Sequence, residues 1–361
     1  MKQDFATCFT FPLKRLREFG GSRWLLSPEH FTIRSRSDWP QLAKLLEPYQ
    51  GVTVGGEGGL SIFLMDQERA KQLNLEKELV HRIIKGQETR RWRVQWKGNV
   101  ILYPYTRNKK GKWQPAFSCH YPPVLDALEF DHPADKFEKD WIQKYGRHPV
   151  SLKRLLEHRR DALNIVKFPH VAEHLMQFYE QLAKRIFKKQ SIYDFGREWY
   201  EFIWPRDADV IFGQPKIISP RLTPKVRFAL DEEGMGVQDS CICLAVSENT
   251  RAAFDDFRKR LSKIATRDLK ELTIYRFLLG VLNSSYSQDL LTTGRRPTPK
   301  GHYQIDEHFL TELAVPLPKT KREMDAFLKA LEACLILRGE KTRSTSESRL
   351  NEIITSMYAA R

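Results

Sequence analysis

The sequence lacks the features that would place it outside the cell or in a membrane. No Cys-x-x-Cys pair occurs, and the five cysteines Cys8, Cys119, Cys241, Cys243 and Cys334 are odd in number and fit no zinc spacing. Neither a disulfide framework nor a structural zinc site is expected. No apolar window approaches a membrane span, and no apolar core follows the N-terminal Met1-Lys-Gln-Asp4 as it would in a signal peptide. The expected place is the cytoplasm, in association with the nucleoid. Cys241 and Cys243 alternate within an apolar run, which predicts both on one face of a buried strand.

Catalytic signatures are also missing. There is no Gly-x-x-x-x-Gly-Lys-Ser/Thr, which excludes a P-loop, and the glycines at 51–59 are not followed by a helical pattern, which argues against a dinucleotide site. Tyr121-Pro-Pro-Val124 lacks the amide or carboxylate and the stacking ring that hold a flipped adenine, so methyl transfer by this chain is not expected. The weak match that remains is a metal-dependent nuclease set of Asp255 or Asp256 with Asp268 and Lys270. Acids beside a surface lysine at a helix start are the commoner meaning of that pattern. His170 and His174 stand four apart without a third ligand and read as a surface pair. No catalytic residue, metal or cofactor is expected in the chain.

What is present is positive charge. Lys and Arg number 60 against 45 Asp and Glu, giving a net charge of +15 that favours a polyanionic partner. The excess is local. Residues 82–112 hold ten cations and the single acid Glu88, interleaved with Trp92, Trp96, Tyr103, Tyr105 and Trp113. From this segment Lys85, Gln87, Arg90, Arg91, Arg93, Arg107, Lys109, Lys110 and Lys112 are expected at double-stranded DNA, with Asn108–Lys112 as a hairpin tip. A second cluster is Lys216, Arg221, Lys225 and Arg227, and a third is Arg295, Arg296 and Lys300 in a Gly/Pro-rich loop. Cations set against phosphates release counterions and supply affinity, while Arg and Gln reaching base edges supply discrimination. The 11 cations against four acids at 144–189 suit the solvated face of helices instead.

Periodicity predicts an α+β chain: a twisted mixed β-sheet body, a helical insertion and a C-terminal helical pair. A turn is expected at 19–24, a short helix at 39–49, two strands around a glycine turn at 51–64, a helix at 68–85 and strands at 93–105. Helices follow between 135 and 190, interrupted at Pro169. Strands are expected at 209–212, 216–219, 226–230 and 240–246, with a turn at 231–234. Helices are expected at 252–263, 269–282, 321–338 and 346–359, the last two separated by a polar linker at 339–345. The expected organisation is an N-terminal lobe over 1–121, an insertion over 122–192, a second β-rich lobe over 193–320 and closing helices over 321–361.

Several segments resemble, in order, the TaqI-like C-terminal specificity (target recognition) domain of type II and type IIG restriction-modification enzymes and related phage-defence adenine methyltransferases. Gly51-Val-Thr-Val-Gly-Gly-Glu-Gly-Gly-Leu60 is similar to that domain's opening segment, with Val54 and Glu57 where it carries Thr and Asn. Ile84-Lys-Gly-Gln87 with Arg90–Arg93, Glu198-Trp-Tyr-Glu-Phe202, Gln214-Pro-Lys-Ile-Ile-Ser-Pro-Arg221 and Phe228-Ala-Leu-Asp231 resemble its next segments. Leu278-Leu-Gly-Val-Leu-Asn-Ser-Ser285 resembles its Leu-Gly-Leu-Leu-Asn-Ser helix, and Ser348-Arg-Leu-Asn-Glu-Ile-Ile354 with Met357-Tyr358 its terminal helix. The resemblance implies a sequence-reading module, a free-standing subunit or a fragment, that directs a separate N6-adenine methyltransferase, an endonuclease or both. S-adenosylmethionine would then belong to that partner. The alternatives are the nuclease above and a non-specific nucleic-acid-binding scaffold.

Overall fold

The computed structural model describes residues 39–54, 62–117, 167–213, 215–292, 297–305, 310, 313–336 and 340–358. The turn expected at 19–24, the glycine turn at 55–59, the insertion from 122 to 166, and Gln214, Arg295 and Arg296 lie outside them. The fold is α+β, as the periodicity predicts. The chain forms two compact units, one from segments 1–51, 84–97 and 209–361, the other from 52–83 and 98–208.

The first unit is built on a five-stranded mixed sheet. Its strands are β1 (Glu47–Gln50), β2 (Trp92–Arg93), β3 (Lys216–Pro220), β5 (Ala229–Asp231) and β6 (Cys241–Ala245), in the order β1-β6-β3-β5-β2. All pairs are antiparallel except β5 with β2. A separate ribbon pairs β4 (Leu222–Thr223) with β7 (Tyr303–Gln304). Every residue of β3 and β6 is buried, which places Cys241 and Cys243 in the core. Burial pushes their thiols up, to about 11 and about 12, so both stay protonated.

Helices α1 (Leu42–Leu45), α2 (Glu248–Ala265), α3 (Glu271–Leu282), α4 (Ser285–Thr292), α5 (Lys321–Ile336) and α6 (Glu340–Tyr358) share one apolar core with one face of that sheet. Helix α2 starts at Ser247, whose Oγ accepts from Thr250 N at 3.3 Å, and buries Phe254, Phe257, Leu261 and Ala265 at helical spacing. The expected closing pair is α5 packed on α6, burying Phe327, Leu331, Leu350, Ile353 and Ile354. Gly280 lets α3 approach α5, because a Cβ there would stand 2.7 Å from Phe327 Cζ. Gly51 is tighter still: a Cβ would meet the Gln238 carbonyl oxygen at 2.2 Å.

Four local expectations are corrected. The helix expected over 68–85 ends at Gln72, where Asn74 takes a left-handed φ of 51°, and Val80–Ile84 is a strand. Residues 209–212 lie in or beside the helical turn Ala208–Ile211, since a short buried apolar run carries no period to tell strand from helix. The helix expected at 39–49 stops at Leu45 and β1 follows. Helix α6 begins at Glu340, inside the expected polar linker.

In the second unit, strands Leu64–Asp66, Val80–Ile84 and Asn99–Leu102 pair antiparallel, with Asn99–Leu102 between the other two. Tyr105–Arg107 and Trp113–Pro115 form the expected hairpin. A helix, Pro169–Met176, starts at the expected break; Glu76 caps it by accepting from His170 N and Val171 N, each at 2.9 Å. His174 is not a surface residue: it is buried, its Nε2 lies 2.9 Å from the Ile62 carbonyl oxygen, and burial lowers its pKa.

His81 packs its ring edge-to-face against Tyr103 and Trp113, and burial lowers its pKa from 6.5 to about 4. The unfolded chain takes up this proton near pH 6.5 while the folded chain resists until about pH 4. Stability is therefore full above pH 6.5 and lost as the pH falls across that window, by on the order of 2–3 kcal/mol. Denaturant titrations at pH 7.5 and 4.5 should show this loss, and His81→Phe should flatten that part of the profile. An equal slope in wild type and variant would assign the pH dependence elsewhere.

Candidate nucleic-acid interface

The site grows from a loop that carries most of the first cationic cluster. A 3-10 turn, Gly86–Glu88, leads into Arg90-Arg91-Trp92-Arg93, a tight turn closed by Arg90 N to Arg93 O at 3.0 Å and Arg93 N to Arg90 O at 3.2 Å. Trp92 sits in this turn with φ 80°, a conformation that favours glycine and costs about 1–3 kcal/mol for a bulky residue. Trp92 is held there from both ends. Its N donates to Phe228 O at 2.8 Å and its Nε1 donates to Glu347 Oε1 at 2.5 Å.

Glu88, the lone acid of the cluster, braces the loop. Its side chain is buried; Oε2 accepts from Lys85 N at 2.8 Å and Oε1 from Lys97 N at 2.7 Å, clamping the two ends together. Charge-assisted bonds of this kind contribute about 1.5–3 kcal/mol each. Glu88→Ala is expected to destabilise the protein by about 2–4 kcal/mol and to raise amide exchange across 85–97. Glu88→Gln should not rescue it, because one donor N–H would then face another. Unaltered exchange in Glu88→Ala would show that the loop holds its shape without the clamp.

The second cluster meets this loop through Ser240. Gly86 N donates to Ser240 Oγ at 3.0 Å, while Arg221 N donates to Ser240 O at 2.9 Å. Ile305 N donates to Arg221 O at 2.9 Å, which ties in the ribbon and the Thr298–His302 turn that bears Lys300. Segment 226–228 is strung on α3 and α4. Val226 N donates to Gln288 Oε1 at 2.7 Å, and the Asn283 amide bonds both Phe228 N at 3.0 Å and Phe228 O at 2.9 Å. The first unit thus gathers residues far apart in sequence, Lys85, Gln87, Arg90, Arg93, Arg221, Lys225, Arg227 and Lys300, around one end of its sheet. Gln87, Arg93, Lys225 and Lys300 are exposed, and Lys85, Arg90, Arg221 and Arg227 are half-buried.

Two expected cations stand apart from this group. Lys216 is 0% exposed, and its Nζ donates to Asp231 Oδ2 at 2.9 Å, so it is a core ion pair and reaches no ligand. The alternation of β3 explains this: Ile217 enters the helix-facing core and Lys216 takes the opposite, equally buried face. Arg91 donates from Nη2 to Asn283 O at 2.5 Å and pairs with Glu347 at 3.4 Å, a bracing role for the turn.

In the second unit, Lys109, Lys110 and Lys112 are exposed at the hairpin tip, where Asn108 Oδ1 accepts from Lys110 N at 2.9 Å and Lys112 N at 3.0 Å. Arg107 lies over the Trp113 ring at 4.7 Å and donates to Gly111 O at 2.8 Å. The aromatics of the cluster are mostly core: Trp92, Tyr103 and Tyr105 are buried, and Trp96 and Trp113 half-buried. Among the described residues no side-chain partner holds Lys85, Gln87, Arg93, Lys109, Lys110, Lys112, Arg221, Lys225 or Lys300.

Two of the three carboxylates considered for metal chemistry face an arginine. Arg258 reaches Asp255 at 3.7 Å and Asp268 at 3.6 Å. Among the described residues no group of three or more His, Cys, Asp or Glu could hold a metal ion, and no helix is long and apolar enough to cross a membrane.

No family model matches the chain. Among solved structures it is similar to the type IIL restriction-modification enzyme MmeI, solved in complex with DNA. The TM-score is 0.49 at 11% sequence identity, over 90% of this chain and 34% of that one. This chain thus spans about a third of the length of that enzyme.

Proposed function

We propose that the chain is a DNA sequence-recognition module of a restriction-modification or phage-defence system, acting with a separate N6-adenine methyltransferase, an endonuclease or both. The observation that carries this reading is the convergence, within one unit, of Lys85, Arg90, Arg93, Arg221, Lys225, Arg227 and Lys300, none of which is paired with an acid among the described residues. Lysines there, and those of the 107–112 hairpin, neutralise phosphates. Exposed Gln87 has the donor and acceptor that read an adenine edge, and exposed Arg93 the paired donors that read a guanine edge. The TaqI-like motifs agree with this assignment: Lys85-Gly-Gln87, Pro220-Arg221 and Asn283 are the residues that build the loop, its neighbour and the hub beneath them.

Selection from a random duplex pool tests the reading. The purified protein should enrich one short sequence, with an affinity that falls steeply with salt. It should transfer no methyl group from S-adenosylmethionine until a methyltransferase is added. Equal retention of every duplex and of RNA would leave a non-specific scaffold, and unaided methyl transfer would refute the division of labour.

A further inference from the structure

The outward face of the β4/β7 ribbon carries an apolar side chain in cationic surroundings. Leu222 is 50% exposed, while the next residue, Thr223, is buried at 1%. The facing strand shows the same alternation. Tyr303 and Ile305 pack on the apolar core of the first unit and Gln304 turns outward, directly across from Leu222 in the register.

The ribbon is tied down at both ends. Ile305 N donates to Arg221 O at 2.9 Å and Arg221 N to Ser240 O at 2.9 Å, while Thr223 Oγ1 donates to Lys225 O at 2.5 Å. Because the strands are antiparallel, the chain after Thr223 and the chain before Tyr303 leave by the same end. That end bears Lys225 and Lys300, and the other bears Arg221. None of these three cations has a side-chain partner among the described residues.

A single exposed leucine is ordinary on a protein surface. Leu222 differs in its setting, since it stands on a fixed ribbon between cations that meet no acid. Those cations favour a polyanion across this face, and in duplex DNA the base edges of a groove lie between the two rows of phosphates. The major groove is about 12 Å wide and admits a two-stranded ribbon; the one methyl group that the bases present there belongs to thymine.

We infer that Leu222 reads a thymine in the major groove by packing on its C5-methyl. The inference rests on the proposed DNA recognition and adds to it the residue, the groove and the base. An apolar pocket on a partner protein is the competing occupant, and the unpaired cations at both ends of the ribbon favour DNA.

The test uses the full chain and the duplex enriched from the random pool. Each thymine in turn is replaced by uracil, which deletes the methyl and keeps every hydrogen-bonding group. At one position the wild-type affinity should fall about fourfold, the worth of burying one methyl-sized group. Leu222→Ala should bind the thymine duplex more weakly by at least that factor and no longer distinguish uracil there. It should melt at the wild-type temperature, because the side chain is exposed, and keep the wild-type salt dependence, because no charge is lost. Leu222→Met keeps an apolar group of similar volume and should keep the distinction.

An enriched site without thymine, uracil tolerated at every position, or a methyl effect that survives in Leu222→Ala would overturn the contact and leave the DNA reading standing. Equal weakening of Leu222→Ala on thymine and uracil duplexes, with wild type still distinguishing them, would overturn direct packing on the methyl. Unchanged DNA binding by Leu222→Ala, with loss only of its association with an added methyltransferase, would assign the leucine to a protein interface and overturn the inference. Enrichment of no sequence at all would sink the DNA reading and the contact together.

Discussion

Lys216→Met is expected to destabilise the first unit by about 3–5 kcal/mol, the cost of leaving a buried charge without its partner. Lys216 and Asp231 lie opposite each other in the β3/β5 register, both 0% exposed at the side chain. Asp231 Oδ1 also accepts from Glu233 N at 3.1 Å, so the carboxylate anchors the turn at 231–234 as well. Removing the ammonium strands the carboxylate between β-strands with no water to solvate it. The double variant Lys216→Met/Asp231→Leu removes both charges at once and should recover most of the loss, since desolvation of an ion pair roughly offsets its attraction. Urea titrations of the two single variants and the double variant decide the matter. Additive losses would show that the pair does not interact. If the DNA affinity of the folded Lys216→Met protein were to fall on its own, with stability unchanged, the lysine would belong to the interface after all.

Arg185→Met is expected to unfold the second unit, with a loss of several kcal/mol. Arg185 is 3% exposed. Its Nε donates to Leu182 O at 2.9 Å, Nη1 to Val54 O at 3.0 Å, and Nη2 to Trp199 O at 2.7 Å and Glu201 O at 2.6 Å. One planar fork thus joins the end of helix Tyr179–Ala183, the segment at 54 and the turn at 199–201, with its carbon atom 5.8 Å from the Phe63 ring centroid. Each carbonyl left unsatisfied costs about 1–3 kcal/mol, and Lys cannot replace the fork because three donors on one atom cannot span these directions. Circular dichroism and amide exchange should show the aromatic cluster of Phe63, Tyr103, Tyr105 and Phe202 lost while the first unit stays protected. A native-like spectrum for Arg185→Lys would show that charge alone suffices.

Most helices were legible because their cause is local. Ser247 as a cap, the spacing of Phe254, Phe257 and Leu261, and the apolar stripe from Met324 to Cys334 lie within one element each. The alternation of Cys241 and Cys243 was legible for the same reason. Short apolar runs such as 209–212 were not, because four residues do not establish a period. Glu88 stands out in the sequence as the one acid among ten cations, but its role depends on two backbone amides that only the folded loop brings to it.

By itself the sequence determined the excess of positive charge, the segments that carry it, the α+β class and the hairpin at 105–115. The tertiary structure decided which of those charges are free. Lys216 and Arg221 belong to one basic stretch, yet one is locked to Asp231 in the core and the other is half-buried with no side-chain partner among the described residues. Strand register and the covering of a sheet face assign partners across long stretches of chain. Whether a charge is neutralised is therefore set by residues that composition and periodicity do not connect.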